Sequence, residues 1–137
     1  MRYAIVYSSK TGNTALLAQT VRDCLREEEC LYFGPPSPRA LSAGRVYVGF
    51  WTDKGTCDGE TAQFLAALTG QEVFLFGTAG FGGDAAYFEK ILALVKEELP
   101  EGTEVVGEYM CQGKMPDAVR RRYEQMEDGP RKQIMLD

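Results

Sequence analysis

Short apolar runs alternate along this chain with segments whose apolar residues recur at helical spacing, and this alternation limits the fold more than any other feature. The runs are rich in β-branched and aromatic residues, as expected for strands buried on both faces. The predicted strands are residues 3–7, 30–33, 45–50, 72–77 and 103–110. The predicted helices are residues 12–27, 59–68, 84–98 and 115–126. Alternating strands and helices predict an α/β fold, a doubly wound parallel sheet with helices on both faces.

The loops that follow the strands are the expected place for a site. In a doubly wound sheet, ligands bind at the carboxyl ends of the strands, beside the point where the strand order reverses. Right-handed crossovers leave few topologies for such a sheet. The loops to consider are therefore residues 8–14, 51–58, 78–84 and 111–115.

Composition excludes several classes of function. The 137 residues suit a single domain, 1–137, and the formal net charge is -5, which argues against nucleic acid as a partner. The chain has no histidine, and histidine is the commonest general base and metal ligand. Its four cysteines form no CxxC pair, so we expect neither a metal site nor a catalytic residue.

The thiols and the lengths of the apolar runs bear on location. No run approaches the 18 or so apolar residues of a membrane helix, and none suits a signal peptide, so we expect a cytoplasmic protein with reduced thiols and no membrane partner. Cys24 and Cys30 are expected in the core. Cys57 and Cys111 follow strands, where a redox role is possible, but a small apolar role is the commoner one.

The loop after the first strand, SSKTGNT, points to a phosphate. It lacks the GK[ST] of a P-loop and the GxGxxG of a dinucleotide site. Hydroxyls at 9, 11 and 14 can instead turn toward one anion, with amides of the following helix as further donors. Gly12 allows a close backbone approach. The alternative is that these hydroxyls only cap the helix.

The same loop resembles the phosphate loop of flavodoxins, which bind FMN in a five-stranded sheet of order 2-1-3-4-5. The element order and the next two loops extend the resemblance over nearly the whole chain, which is short and so similar to the short-chain flavodoxins. GFWTDKGTC and FGTAGFGG also resemble a branch of flavodoxin-like proteins, some of them linked to bilirubin reductases of gut bacteria. The resemblance implies FMN as cofactor, bound by Ser8, Ser9, Lys10, Thr11, Gly12, Asn13, Thr14, Trp51, Thr52, Asp53, Lys54, Gly55, Thr78, Ala79, Gly80, Phe81, Gly82 and Gly83.

The resemblance also implies roles for the second and third loops. Trp51, the only tryptophan, would stack on the flavin ring, unless it only closes the end of the sheet. Gly55 would lie in a turn at the N5 edge of the ring. Lys54 beside it would bring a positive charge to the ring or remain solvated. Phe81 would cover the outer face of the ring, and Asp84 is expected mainly to cap the next helix.

Three functions fit these features to different degrees. The resemblance favours a monomeric FMN-binding electron carrier that receives electrons from a reductase and passes them to a redox partner. An FMN-dependent NAD(P)H oxidoreductase is the alternative, although rings on both flavin faces would oppose nicotinamide. A phosphate-acceptor regulator ranks last, because Ser8 and Ser9 stand where it needs Mg²⁺-binding carboxylates. Gln112 is expected at the exposed edge of the ring, and residues 120–122 on a solvated helix face.

Overall fold

The computed structural model describes residues 1–80 and 84–112. Their strands are β1 (Tyr3–Tyr7), β2 (Cys30–Gly34), β3 (Arg45–Asp53), β4 (Thr56–Cys57), β5 (Glu72–Ala79) and β6 (Val105–Gln112). Their α-helices are α1 (Asn13–Asp23), α2 (Gly59–Ala66) and α3 (Ala85–Lys96), and 3-10 turns cover Glu27–Glu29 and Pro38–Ser42. The predicted helix at 115–126 and the arginines at 120–122 lie outside the described residues.

The strand order confirms the predicted sheet. The parallel strands run β2-β1-β3-β5-β6, and β4 pairs only with β3. Without the short β4, this is the predicted order 2-1-3-4-5. The order reverses between β1 and β3, whose residues pair in parallel from Tyr3 with Arg45 to Tyr7 with Gly49. The carboxyl ends of β1 and β3 therefore meet where ligands bind in doubly wound sheets.

The strands β1, β3 and β5 are mostly buried on both faces, as their continuous apolar runs predict. One cluster joins β3 and β5 to the apolar sides of α2 and α3, with Phe50, Leu65 and Ile91 among its buried members. The second cluster lies under α1 and contains Ile5, Ala18 and Phe76. Alternate residues of β3 thus face opposite layers, so Phe50 and Thr52 share one face and Trp51 faces the other.

Close packing between β3 and β5 depends on two glycines. A Cβ on Gly77 would collide with the ring of Phe50, and one on Gly49 would collide with the ring of Phe76. The two phenylalanines are fully buried. Each ring therefore fills the space that the facing glycine leaves on the neighbouring strand.

Several predicted bounds were wrong by a few residues. Helix α1 ends at Asp23 instead of 27, and β6 starts at Val105 instead of 103. The largest difference is β3, which continues to Asp53 because residues 52–53 pair with Thr56–Cys57 in an antiparallel hairpin. The expected loop at 51–58 is therefore mostly a β-hairpin.

The expected core positions of two cysteines also need correction. Cys24 is exposed and Cys30 is half-buried. The buried residues of α1 are Thr14 and Ala18, while Leu17 and Val21 of the predicted stripe are only half-buried. Small side chains face the sheet because the helix lies close to it, which moves the larger residues to the flanks.

Candidate functional site

The loop after β1 is fixed to the neighbouring strand. The amide of Ser8 donates to the carbonyl of Gly49 on β3 over 3.0 Å. The Ser9 hydroxyl accepts from the amide of Gly12 at 3.1 Å and from that of Ala15 at 3.3 Å. Ser9 therefore takes up two of the amides at the start of α1, which is the capping role weighed from the sequence.

Gly12 has the backbone conformation that the loop requires. Its φ is 93°, in the left-handed region where glycine carries no steric penalty. The carbonyl of Gly12 accepts the amide of Leu16 at 3.0 Å and so begins the helix. In any α-helix the first four amides have no acceptor within the helix itself. The loop thus presents amides and hydroxyls at the positive end of α1.

The Thr14 hydroxyl is placed differently from the expected arrangement around an anion. Thr14 is 1% exposed, and its Oγ1 lies 2.9 Å from Oγ1 of Thr78 on β5. It also donates toward the carbonyl of Phe50 on β3 at 3.4 Å. The Thr14 hydroxyl therefore connects the start of α1 with the ends of β3 and β5 inside the core.

Lys10 and Trp51 bring the first two loops into contact. Nζ of Lys10 lies 5.0 Å from the centroid of the Trp51 ring, within the range of a cation–π interaction. Trp51 is half-buried and pairs with Thr78 of β5 in the sheet. On the same loop, Nδ2 of Asn13 donates to Oγ1 of Thr11 over 3.1 Å.

Lys54 and Gly55 form the two-residue turn of the β3–β4 hairpin. Their φ angles are 54° and 88°, both positive, as a type I′ turn requires. Asp53 and Thr56 close the turn as a pair. Asp58 follows the hairpin, and its buried carboxylate caps α2 by accepting from the amide and the hydroxyl of Thr61. The hairpin is therefore held at both ends.

The end of β5 is supported by a residue whose role the sequence did not reveal. Gln112 is 2% exposed, not at an exposed edge, and its Nε2 donates to the carbonyl of Gly80 at 3.0 Å. The sequence signal that could have indicated this role is a polar residue, Gln112, at the end of a strand. Thr78 and Ala79 lie within β5, and Asp84 caps α3 through the amide of Tyr87 at 2.8 Å. Phe81, Gly82 and Gly83 lie outside the described residues.

Two buried oxygens at this edge have no hydrogen-bond partner within residues 1–80 and 84–112: Oγ1 of Thr52 and Oε1 of Gln112. Buried polar atoms in native proteins are nearly always paired. Thr52 lies near the carboxyl end of the central strand β3, and Gln112 is the last residue of β6, which ends the sheet order of the described strands. The carboxyl edge of the sheet thus has two buried hydrogen-bonding oxygens without a partner in the described part of the chain.

Three glycines leave open space along this edge. Within residues 1–80 and 84–112, a Cβ added to Gly12, Gly55 or Gly80 would meet no atom within 4 Å. The segments that contain these glycines, with Trp51, carry hydroxyls, an amide, ammonium groups, the carboxylate of Asp53 and an indole. Uncharged donors beside a helix start fit a phosphate, and an indole beside open backbone fits a flat ring. Within the described ranges, no group of acidic, cysteine or histidine side chains is arranged to hold a metal ion.

The two cysteines near this edge are buried. Cys57, 5% exposed, lies opposite Thr52 in the hairpin. Burial, followed by the negative charges of Asp58 and Glu98, raises the pKa of the Cys57 thiol to about 11. Cys111 pairs with Thr78 in the sheet. Cys57 is therefore a neutral thiol near pH 7, which fits the small apolar role more than a reactive one.

A cavity of about 300 Å³ lies at the opposite edge of the sheet, where β1 and β3 begin. Its polar groups are already engaged. The Tyr3 hydroxyl donates to the carbonyl of Arg26 at 3.1 Å, and Arg45 forms an ion pair with Glu72 at 2.7 Å. Burial, followed by Cys30, raises the pKa of Tyr3 to about 12. This cavity lies far from the carboxyl ends of the strands and carries no part of the candidate site.

Comparisons with known proteins find similar sequences over nearly the whole chain. The profile of the flavodoxin domain family matches residues 4–136. A flavodoxin-like domain-containing protein BilS from Clostridium symbiosum is 42% identical and is aligned with 100% of this chain and 83% of its own length. A protein of the same name from Clostridioides difficile is 31% identical over 92% of this chain and 74% of its own length.

Solved structures share the fold at low identity. A flavoprotein in complex with FMN from Lactobacillus acidophilus has a TM-score of 0.62 and 12% identity, covering 80% of this chain and 92% of that protein. A short-chain flavodoxin associated with a bacterial microcompartment has a TM-score of 0.61 and 17% identity, covering 99% of this chain and 97% of its own. No helix among the described residues is long and apolar enough to cross a membrane.

Proposed function

We propose that this chain, which belongs to the flavodoxin domain family, binds FMN at the carboxyl edge of its sheet and carries electrons between a reductase and a redox partner. The match over residues 4–136 and the 42% identity to a flavodoxin-like relative confirm the family that the first loop predicted. FMN, when bound, supplies the redox chemistry, and the protein supplies binding and electrostatic control.

The phosphate of FMN would lie at the start of α1. The single observation that carries this assignment is the left-handed Gly12, with open space beside it, between hydroxyl-bearing residues and the first helical amides. Ser8, Ser9, Lys10, Thr11, Gly12, Asn13 and Thr14 form this loop. Thr14 and Ser9 act mainly by holding its shape, since their hydroxyls already have protein partners.

The flavin ring would lie between the ends of β3 and β5. Trp51 offers a face for stacking, worth roughly 0.5–1.5 kcal/mol beyond burial. Thr52, Asp53, Lys54 and Gly55 would border one edge of the ring, and Thr78, Ala79 and Gly80, with residues 81–83, the pyrimidine edge. Lys54 lies in the hairpin turn. Its positively charged side chain is three residues from Trp51 in the sequence.

Electron transfer without substrate chemistry suits the side chains at this edge. The chain has no histidine, and Cys57 is a buried neutral thiol. We expect a monomer. Its net charge of -5 would steer it toward basic patches on its redox partner proteins. Because the chain resembles the branch linked to bilirubin reductases, such a reductase is a candidate electron acceptor. The protein would act in the cytoplasm, where thiols stay reduced.

The visible spectrum of the purified protein, with mass analysis of the released chromophore, tests the cofactor. We expect flavin bands and the mass of FMN. A colourless protein that takes up no added FMN would remove the proposal. NAD(P)H oxidation by the FMN-loaded protein alone separates the two roles: turnover without a partner protein would favour the FMN-dependent oxidoreductase over the electron carrier.

A further inference from the structure

We propose that Lys10 makes the site selective for a phosphorylated flavin, by exchanging the ring of Trp51 for the phosphate when the cofactor binds. This inference rests on the proposed function, because it concerns the same site. It assigns to one side chain the discrimination between FMN and riboflavin, which share the ring and differ in the phosphate.

The contact between Lys10 and Trp51 is the first observation. The ammonium lies 5.0 Å from the centre of the indole, so the side chain covers one face of a half-buried ring at the end of β3. A flavin that stacks on this face must displace the ammonium. Stacking therefore competes with an existing cation–π contact.

The position of Lys10 in the backbone is the second observation. Lys10 stands between Ser9 and Thr11 in the loop that begins α1, so its side chain starts beside the expected phosphate. It is exposed, and the ion pairs among residues 1–80 and 84–112 do not include it. No described carboxylate holds its charge in place, so the ammonium is free to turn from the indole to an anion.

These two observations give opposite results for the two flavins. Riboflavin would displace the ammonium from Trp51 and offer it no anion in return. FMN would displace the same ammonium and offer its phosphate, and an ionised acceptor roughly doubles the strength of a hydrogen bond. Lys10 therefore penalises one ligand and supports the other, which is specificity by difference in affinity.

The test compares dissociation constants of FMN and riboflavin for the purified chain freed of flavin, with K10M as the central variant. We expect K10M to bind riboflavin about two- to fivefold more tightly, as loss of an exposed cation–π contact implies. We expect it to bind FMN roughly tenfold more weakly, as loss of one charge-assisted hydrogen bond implies. K10R, which keeps the charge, should retain the preference for FMN.

K90M is the matched control, because Lys90 is exposed on α3 and its loss changes the net charge by the same amount. Its preference for FMN over riboflavin should equal that of the unchanged chain. Added salt should reduce FMN affinity less in K10M than in K90M, since screening acts on the charge that K10M lacks. In a W51L background, K10M should no longer strengthen riboflavin binding.

The outcomes separate this inference from the proposed function. A chain that prefers FMN, and whose K10M variant keeps that preference within twofold, would overturn the role of Lys10 and leave the site intact. Equal weakening of both flavins by K10M would also overturn it, because Lys10 would then support the ring alone. A chain that binds neither flavin would overturn the proposed function and this inference together.

Discussion

The hydroxyl oxygens of Thr14 and Thr78 lie 2.9 Å apart in the core, although 64 positions separate them in the sequence. Thr14 is the second residue of α1, and Thr78 lies near the end of β5. Their contact connects the loop proposed for the phosphate with the strand proposed for the ring. One hydroxyl pair thus links the two halves of the site beneath the surface.

The first prediction concerns this pair. T78V removes one hydroxyl, keeps the shape, and leaves Thr14 with only the 3.4 Å contact to Phe50. We expect the free energy of unfolding to fall by about 1–2 kcal/mol, measured in urea, because a buried hydroxyl loses its better partner. T20V is the control, because Thr20 is exposed on α1, the helix that contains Thr14. This variant should change the free energy of unfolding by less than about 0.5 kcal/mol.

The double variant T14V/T78V makes this prediction sharper. If the two hydroxyls interact, the double variant should lose less stability than the sum of the single variants. Strict additivity would show that their closeness contributes no energy, and the supposed link between the two halves would then be only geometric.

The second prediction concerns the hairpin turn. Gly55 has φ 88°, and a residue with a side chain costs roughly 1–2 kcal/mol in the left-handed region. G55A should therefore destabilise the protein by about that amount in thermal or urea unfolding. G59A is matched to it, because both glycines have open space but Gly59 begins α2, where alanine should be neutral or stabilising. Equal effects at 55 and 59 would contradict the assigned turn.

The third prediction concerns the Cys57 thiol, whose pKa lies at about 11 against an ordinary 9.0. Because the unfolded chain loses this proton first, the contribution of Cys57 to stability is complete below pH 9.0 and is lost as pH rises toward 11. C57A should flatten the fall in stability over that range. A slope as steep in C57A as in the unchanged chain would contradict the shifted pKa.

Alkylation provides a second measurement on the same residue. At pH 7.5 iodoacetamide should modify the exposed Cys24 readily and Cys57 only after unfolding, as peptide mass mapping would show. Rapid modification of Cys57 in the folded protein would indicate a reactive thiol and revive a redox role for it.

The fourth prediction concerns Gln112, which supports Gly80 through one hydrogen bond while its own Oε1 has no partner within the described ranges. Q112M removes the bond and the unpaired oxygen together, so the free energy of unfolding should change by less than about 1 kcal/mol. FMN affinity should nevertheless fall severalfold, because the loop that borders the ring loses its support. Unchanged FMN affinity would show that Gln112 does not position this loop.

The fold was predictable because its signals are local and repeated. Short apolar runs rich in β-formers, such as YAIVY, favour strands buried on both faces, and their alternation with helices predicts a parallel sheet. The turn at Gly55 was expected, but the β-hairpin around it was missed because Lys54 is an unusual residue for a positive φ. Pairing with β4 then extended β3 to Asp53.

The site was predictable in its place and only partly in its geometry. Strand order brings the loops after β1, β3 and β5 to one edge, whatever the side chains do. The direction of a hydroxyl depends instead on what lies opposite it. Thr14 faces Thr78 because α1 packs closely on β5, and the burial of Gln112 follows from its place beside Ala79 in the sheet. Both relationships join residues that are far apart in the sequence, so local sequence patterns do not predict them.

Side-by-side titration of the flavin-free protein with FMN and with riboflavin tests the central claim most directly, because the two ligands differ only in the phosphate assigned to residues 8–14. The account predicts one equivalent of FMN bound at least tenfold more tightly than riboflavin, the preference that a single charge-assisted contact gives. Equal and weak affinities for the two ligands would contradict it.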